Sequence, residues 1–122
     1  METNIALTVI GCVLTLLGVG KILVPEQFNQ RLMGNLHAEA VNPAAAIRAA
    51  LGGAILVTGI VALMCRNLPA NEAGTLLQAM GIGFIVLMAS IASNKLRGYS
   101  HHVPVPPMVI FTVLAIIAFT AT

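Results

Sequence analysis

Hydrophobic positions fall into four long blocks, separated by shorter, more polar connections. The blocks are "IALTVIGCVLTLLGVGKILV" (5–24), "PAAAIRAALGGAILVTGIVALM" (43–64), "TLLQAMGIGFIVLMASIAS" (75–93) and "PMVIFTVLAIIAFTA" (107–121). Each is apolar nearly all round, so no amphipathic period stands out within it. About 20 residues at a rise of about 1.5 Å each cross the hydrocarbon of a bilayer. In that solvent only a helix or a closed barrel pairs all its own backbone groups. The pattern therefore predicts an all-α protein, a bundle of four transmembrane helices. Asn42 and Pro43 read as the cap and first residue of the second span. The fourth block is short, and the "VPVPP" before it cannot be helical throughout. The connection "PEQFNQRLMGNLHAEAVN" (25–42) predicts one further element. Pro25 opens it, Glu26 suits its first turn, and Phe28 and Leu32 lie four apart. That is a short helix on the inner membrane face, with Gly34 as its stop.

Composition fixes the solvent. Hydrophobic residues make up 58% of the 122 and charged residues 8%, whereas a soluble domain carries about 25% charged. A single integral membrane domain over 1–122 is expected, and lipid covers most of it. Lys21, Arg31, Lys95 and Arg97 lie in or beside the first and third connections, and only Arg66 in the middle one. The positive-inside rule then puts both long connections in the cytoplasm and both termini outside, in a bacterial-type inner membrane. A net charge of +2 gives no case for nucleic acid. The expected partners are membrane lipids, other membrane-protein subunits or a second copy of the chain. "VIGC" (9–12) loosely matches a lipoprotein box, but "METN" has no basic residue and the apolar run continues past Cys12. Cys12 and Cys65 differ in expected depth and should not bridge.

Arg48 is the feature that a lipid-bound segment must justify. Counted from Pro43 it lies about 7.5 Å along its helix, below the cytoplasmic interface. There it snorkels, pairs with Glu26 or Glu39, or binds an anionic or amphipathic ligand with Lys21, Asn94 and Arg97 as further candidates. Ser90, Asn94 and Arg97 share one face at the inner end of the third span, and hydrogen bonds between helices are their other use. Small residues spaced by four let helices approach closely: Gly11 with Thr15, Ala45 with Ala49 and Gly53, Ala79 with Gly83, and Gly52 beside them. The chain has no Asp, and no Glu within a block. That counts against a proton-coupled exporter, which exchanges protons at an embedded carboxylate. His37, His101 and His102 with Glu39 lack the spacing of a metal site, and no span carries the histidines that haem needs. No catalytic triad, phosphate loop or dinucleotide fingerprint occurs. No catalytic residue, metal or cofactor is expected.

Two passages, "LLGVGKILVPEQF" and "LGGAILVTGIVALMCR", resemble the DoxX-like superfamily of small four-helix membrane proteins. Gly18, Lys21, Pro25 and Phe28 match its G-x-x-K-x-x-x-P-x-x-F passage. Gly52, Gly53, Leu56 and Gly59 match its GG-x-x-L-x-x-G passage. The family carries a Glu shortly before the paired glycines; here Arg48 stands in that region, which looks like a separate branch. The resemblance implies the four-helix fold and the membrane location and, by analogy with some relatives, quinone-linked redox activity. The leading expectation is an accessory or structural subunit packed against a larger membrane complex. The alternatives are a binder or carrier of a small anionic or amphipathic ligand using Arg48, and the quinone-linked protein.

Overall fold

The computed structural model describes residues 2–99 and 103–122, all helix and connection with no strand among them. The helices are α1 (Thr3–Leu23), α2 (Pro25–Met33), α3 (Ala38–Met64), α4 (Ala70–Leu96) and α5 (Val105–Thr120). Helices α1, α3 and α4 are long and apolar enough to cross a membrane, and α5, with 16 residues, is shorter. Large apolar side chains point outward along them, as with Leu16 at 74% and Met64 at 81% exposure. These are the dimensions and surface of an integral membrane protein.

The short helix after the first span is present. Val24 precedes a proline, leaves the helical region at φ −133° and ends α1. Pro25 then opens α2, and Gly34, at φ +75°, closes it by donating its N–H to the Gln30 carbonyl at 3.0 Å.

The starts of the four long helices move outward. Helix α3 begins at Ala38 rather than at Pro43, so Asn42 is no cap and Pro43 lies inside the helix. Ala38, Glu39 and Ala40 form a first turn on their own merits, and Glu39 suits its dipole. The proline merely deletes one bond close to that end. Arg48 is therefore ten residues past the helix start, about 15 Å along it rather than half that. Helix α4 starts at Ala70, where the Asn71 Oδ1 accepts the Glu72 N–H at 3.1 Å. In α5, Pro106 and Pro107 occupy the first turn, where their missing N–H groups cost nothing.

Residues 8–64 form one compact unit, and residues 1–7 with 65–122 another. In the 8–64 unit, α1 and α3 approach until glycine meets backbone. A Cβ on Gly18 would lie 2.6 Å from the Leu56 nitrogen and 2.7 Å from the Gly52 carbonyl oxygen. One on Gly59 would lie 2.8 Å from the Thr15 nitrogen and 3.0 Å from the Gly11 oxygen. Helix α2 packs on α3. In the other unit α4 packs on α5 through Leu77, Met80, Phe84, Phe111, Leu114 and Ala118. The Phe84 and Phe111 rings lie 5.8 Å apart there, and the Phe119 ring covers Gly81. Several hydroxyls on the helices are satisfied locally: Thr58, Thr75, Thr112 and Thr120 each donate to the carbonyl four residues earlier, whereas the buried Thr15 Oγ1 has no partner among the described residues.

Candidate functional site

Within the 8–64 unit, three helices bring polar and cationic groups together where α1 ends. Lys21 comes from the last turn of α1, Phe28 and Asn29 from α2, and Arg48 from α3. Gly52 makes room for Lys21: a Cβ there would sit 2.7 Å from the Lys21 Cβ. Arg48 is one turn before Gly52, so it projects from the same stripe of α3. Lys21 is only 6% exposed, and its Nζ lies 6.0 Å from the centroid of the Phe28 ring, at the limit of a cation–π contact. Lys21 packs against Gly52, one turn from Arg48, so two like charges face one approach of α1 to α3 and repel.

Asn29 closes the group. It is 3% exposed, and its Oδ1 accepts a hydrogen bond from the Arg48 Nε at 2.9 Å. A guanidinium only donates, so the amide oxygen must face it, and this fixes which end of the amide is which. The Nδ2 at the other end is buried and has no acceptor. Beside Asn29 lies a cleft of about 190 Å³, walled also by Glu26, Gln30, Asn35, Leu36 and Val41.

The carboxylates considered as partners for Arg48 do not pair with it. Glu26 and Glu39 are exposed, and among the described residues neither forms an ion pair with Arg48 or Lys21. The neutral Asn29 stands in their place. The group therefore holds two cations and one spare amide donor, with Asn29 Oδ1, already engaged, its one side-chain acceptor. Such a set of donors and positive charges is chemically complementary to a group that accepts hydrogen bonds and carries negative charge.

Asn94 and Arg97, the other candidate ligand residues, belong to the second unit, at the end of α4. Asn94 is partly buried, and Arg97 is an exposed C-cap whose N–H reaches the Ser93 carbonyl at 2.9 Å. Gly11, Thr15 and Gly52 line the close approach of α1 and α3, joined by Gly18 and Gly59. Ala45 and Ala49 are half-buried, Ala79 is exposed, and nothing lies within 4 Å of a Cβ placed on Gly53 or Gly83. Cys12 and Cys65 are free thiols. Among the described residues no cluster of three or more His, Cys, Asp or Glu could hold a metal; His101 and His102 lie outside them.

Asn29 is the member of the site that the sequence reading passed over. Its trace was there: Pro25, Phe28, Asn29 and Leu32 form an i, i+3, i+4, i+7 stripe, and Asn29 is the polar residue on that inward face. Comparison with family models, with curated proteins and with solved structures finds no match to this chain.

Proposed function

We propose that this protein is a membrane-embedded binder of a small anionic or amphipathic ligand, held at Lys21 and Arg48. The observation that carries the proposal is the pairing of one buried cation, Lys21, and one half-buried cation, Arg48, with an uncharged amide where a carboxylate would be expected. Burying cations without a counter-ion costs several kcal/mol, and a bound anion offsets that cost. The two DoxX-like passages support the same location, because Gly18, Lys21 and Phe28 from the first lie against Gly52 and Leu56 of the second or beside the cluster. With Arg48 where relatives carry a Glu, the site favours an anion over the relatives' quinone-linked chemistry. In this reading α1, α3, α4 and α5 cross a bacterial-type inner membrane, with α2 on its inner face and both termini outside. At about 24 Å, α5 crosses by local thinning of the bilayer.

The test uses the purified chain in a neutral detergent, titrated with sodium phosphate against sodium chloride at equal ionic strength, and in nanodiscs with or without phosphatidylglycerol. Raised thermal stability with phosphate or with the anionic lipid is expected in the wild type and lost in Lys21→Met and Arg48→Met. Equal responses in all three proteins, or none in the wild type, overturn the reading. Topology has its own check: a cysteine at position 30 should resist a membrane-impermeant reagent in intact cells, and ready labelling reverses the orientation.

A second reading keeps the chain as an accessory subunit, or as a protomer that self-associates. What favours it is the outward set of Gly53, Ala79 and Gly83, small residues on lipid-facing helices with room beside both glycines. Co-purification of a stoichiometric partner from native membranes in mild detergent tests it, and recovery of the chain alone as a monomer argues against it.

A further inference from the structure

We infer that Asn29 is a third ligand-binding residue and that the group it helps to hold is an oxyanion, a phosphate or a carboxylate. The inference rests on the anion-binding reading above and extends it. Its starting point is the Nδ2 of Asn29, a donor buried to the point of exclusion from solvent and left without an acceptor. A buried donor in a native protein is almost always paired, and leaving one unpaired is among the more expensive faults a fold can carry. Rotating the amide does not help, since it would set the NH₂ against the Arg48 Nε–H, donor to donor. Asn29 is thus held in the orientation that leaves Nδ2 unpaired, and Arg48 is what holds it.

The same bond divides the guanidinium. Arg48 spends its Nε on Asn29, and its two terminal nitrogens have no hydrogen-bond partner among the described residues. Lys21 adds an ammonium from α1, its Nζ 6.0 Å from the centroid of the Phe28 ring. Lys21, Asn29 and Arg48 thus supply donors from α1, α2 and α3, and the one side-chain acceptor among these three residues, the Asn29 Oδ1, is already used; Glu26, Gln30 and Asn35 line the cleft beside them. Water would satisfy Nδ2 alone but not the two charges; a halide would meet the charges but offers no directed lone pairs for three separated donors. An oxyanion with at least two oxygens satisfies both requirements. Glu26 on the wall of the adjoining cleft subtracts one charge from the surroundings, so a singly or doubly charged group fits better than a polyanion.

The source of the oxyanion is either a lipid headgroup or a free anion, and the experiment separates them. Asn29→Asp keeps the side-chain shape but places a carboxylate against Arg48, giving the cations an internal counter-ion. Asn29→Leu keeps the bulk and removes the amide. Inorganic phosphate in neutral detergent and nanodiscs containing phosphatidylglycerol are the two probes, read by thermal stability with helical content as the folding control. Both variants should stay helical and weaken the wild-type response by about tenfold or more, the loss expected for one charge-assisted bond. A wild-type response to phosphate assigns a soluble anion, and one to phosphatidylglycerol alone assigns a headgroup. If both Asn29 variants respond as the wild type does while Lys21→Met and Arg48→Met do not, Asn29 is no ligand and the anion-binding reading stands without it. If all four variants respond like the wild type, both fall. Should Asn29→Asp fail to fold, Asn29→Leu alone decides.

Discussion

The two compact units bury different kinds of residue. In the unit of residues 1–7 and 65–122, every buried residue among those described is apolar: Leu77, Met80, Phe84, Phe111 and Leu114 are the large ones beside Leu7, with Ala73, Ala115 and Ala118 between them. The unit of residues 8–64 buries Ile10, Leu14 and Ile55, but also Lys21 and Asn29, with Arg48 half-covered beside them. The first unit needs no explanation beyond packing. In lipid, where an apolar contact gains nothing over the acyl chains it displaces, buried charge is harder still to account for by stability alone. On the proposed anion-binding reading, the difference gives packing to one unit and recognition to the other.

The largest expected effect breaks the frame of the recognition unit. Gly18→Ala places its Cβ 2.6 Å from the Leu56 nitrogen, a backbone atom that cannot swing away. Helices α1 and α3 must part, at a cost of about 3 kcal/mol, and Lys21 moves with α1. Thermal unfolding in detergent should show a large fall together with loss of the anion response. A variant that melts like the wild type would mean that the α1–α3 approach is looser than described.

Next comes the counterpart in the packing unit. Phe111→Ala removes a ring that is 3% exposed and lies 5.8 Å from Phe84. In water such a truncation costs about 3 to 5 kcal/mol, but part of that is transfer from water and is absent in lipid. About 2 kcal/mol, the cavity contribution, is expected, with the anion response intact. Loss of that response alongside the stability would erase the division of labour between the units.

Arg48→Leu sharpens the comparison at a smaller scale. Had a buried carboxylate been its partner, the loss would reach about 3 to 5 kcal/mol. The partner is Asn29 Oδ1, so the cost is one unpaired amide oxygen, about 1 to 2 kcal/mol, offset in part by relief of the repulsion from Lys21. Adding Asn29→Leu should recover most of the loss, since removing both members of a pair leaves neither stranded. Additive losses in the double variant would show that the bond between them contributes nothing.

The extent to which this was legible in the sequence follows the same division. Composition and block length were enough for α1, α3 and α4 as membrane-length helices, because lipid leaves a long apolar segment no other structure. Pro25 and Gly34 were enough for α2, because each acts through its own backbone geometry. The start of α3 was not, since Pro43 marks a first turn equally well at its first residue or just beyond it. Arg48 and Lys21 stand out in any apolar segment. Asn29 does not, because an asparagine in a polar connection is unremarkable until the helix is wound and its face is known. The pairing of Arg48 with Asn29 rather than with Glu26 or Glu39 depends on where α2 lies against α3, which no local pattern encodes.

The smallest effect concerns the faces that neither unit uses. A Cβ on Gly53 or on Gly83 would meet nothing within 4 Å, in contrast with Gly52 one residue away. If lipid alone covers these positions, Gly53→Ala and Gly83→Ala replace the poorer helix former and should raise stability by about 0.5 to 1 kcal/mol each. If a second copy or another subunit packs its backbone there, the added methyl obstructs it. The isolated chain would still gain, while the complex would weaken. Thermal unfolding of each variant therefore has to be paired with its assembly state in mild detergent. A gain in melting temperature with unchanged assembly confines the glycines to lipid contact and removes the observation that favours the accessory-subunit reading. A gain with loss of a larger species would show that the chain docks through an outward glycine, in addition to the proposed anion site of the 8–64 unit.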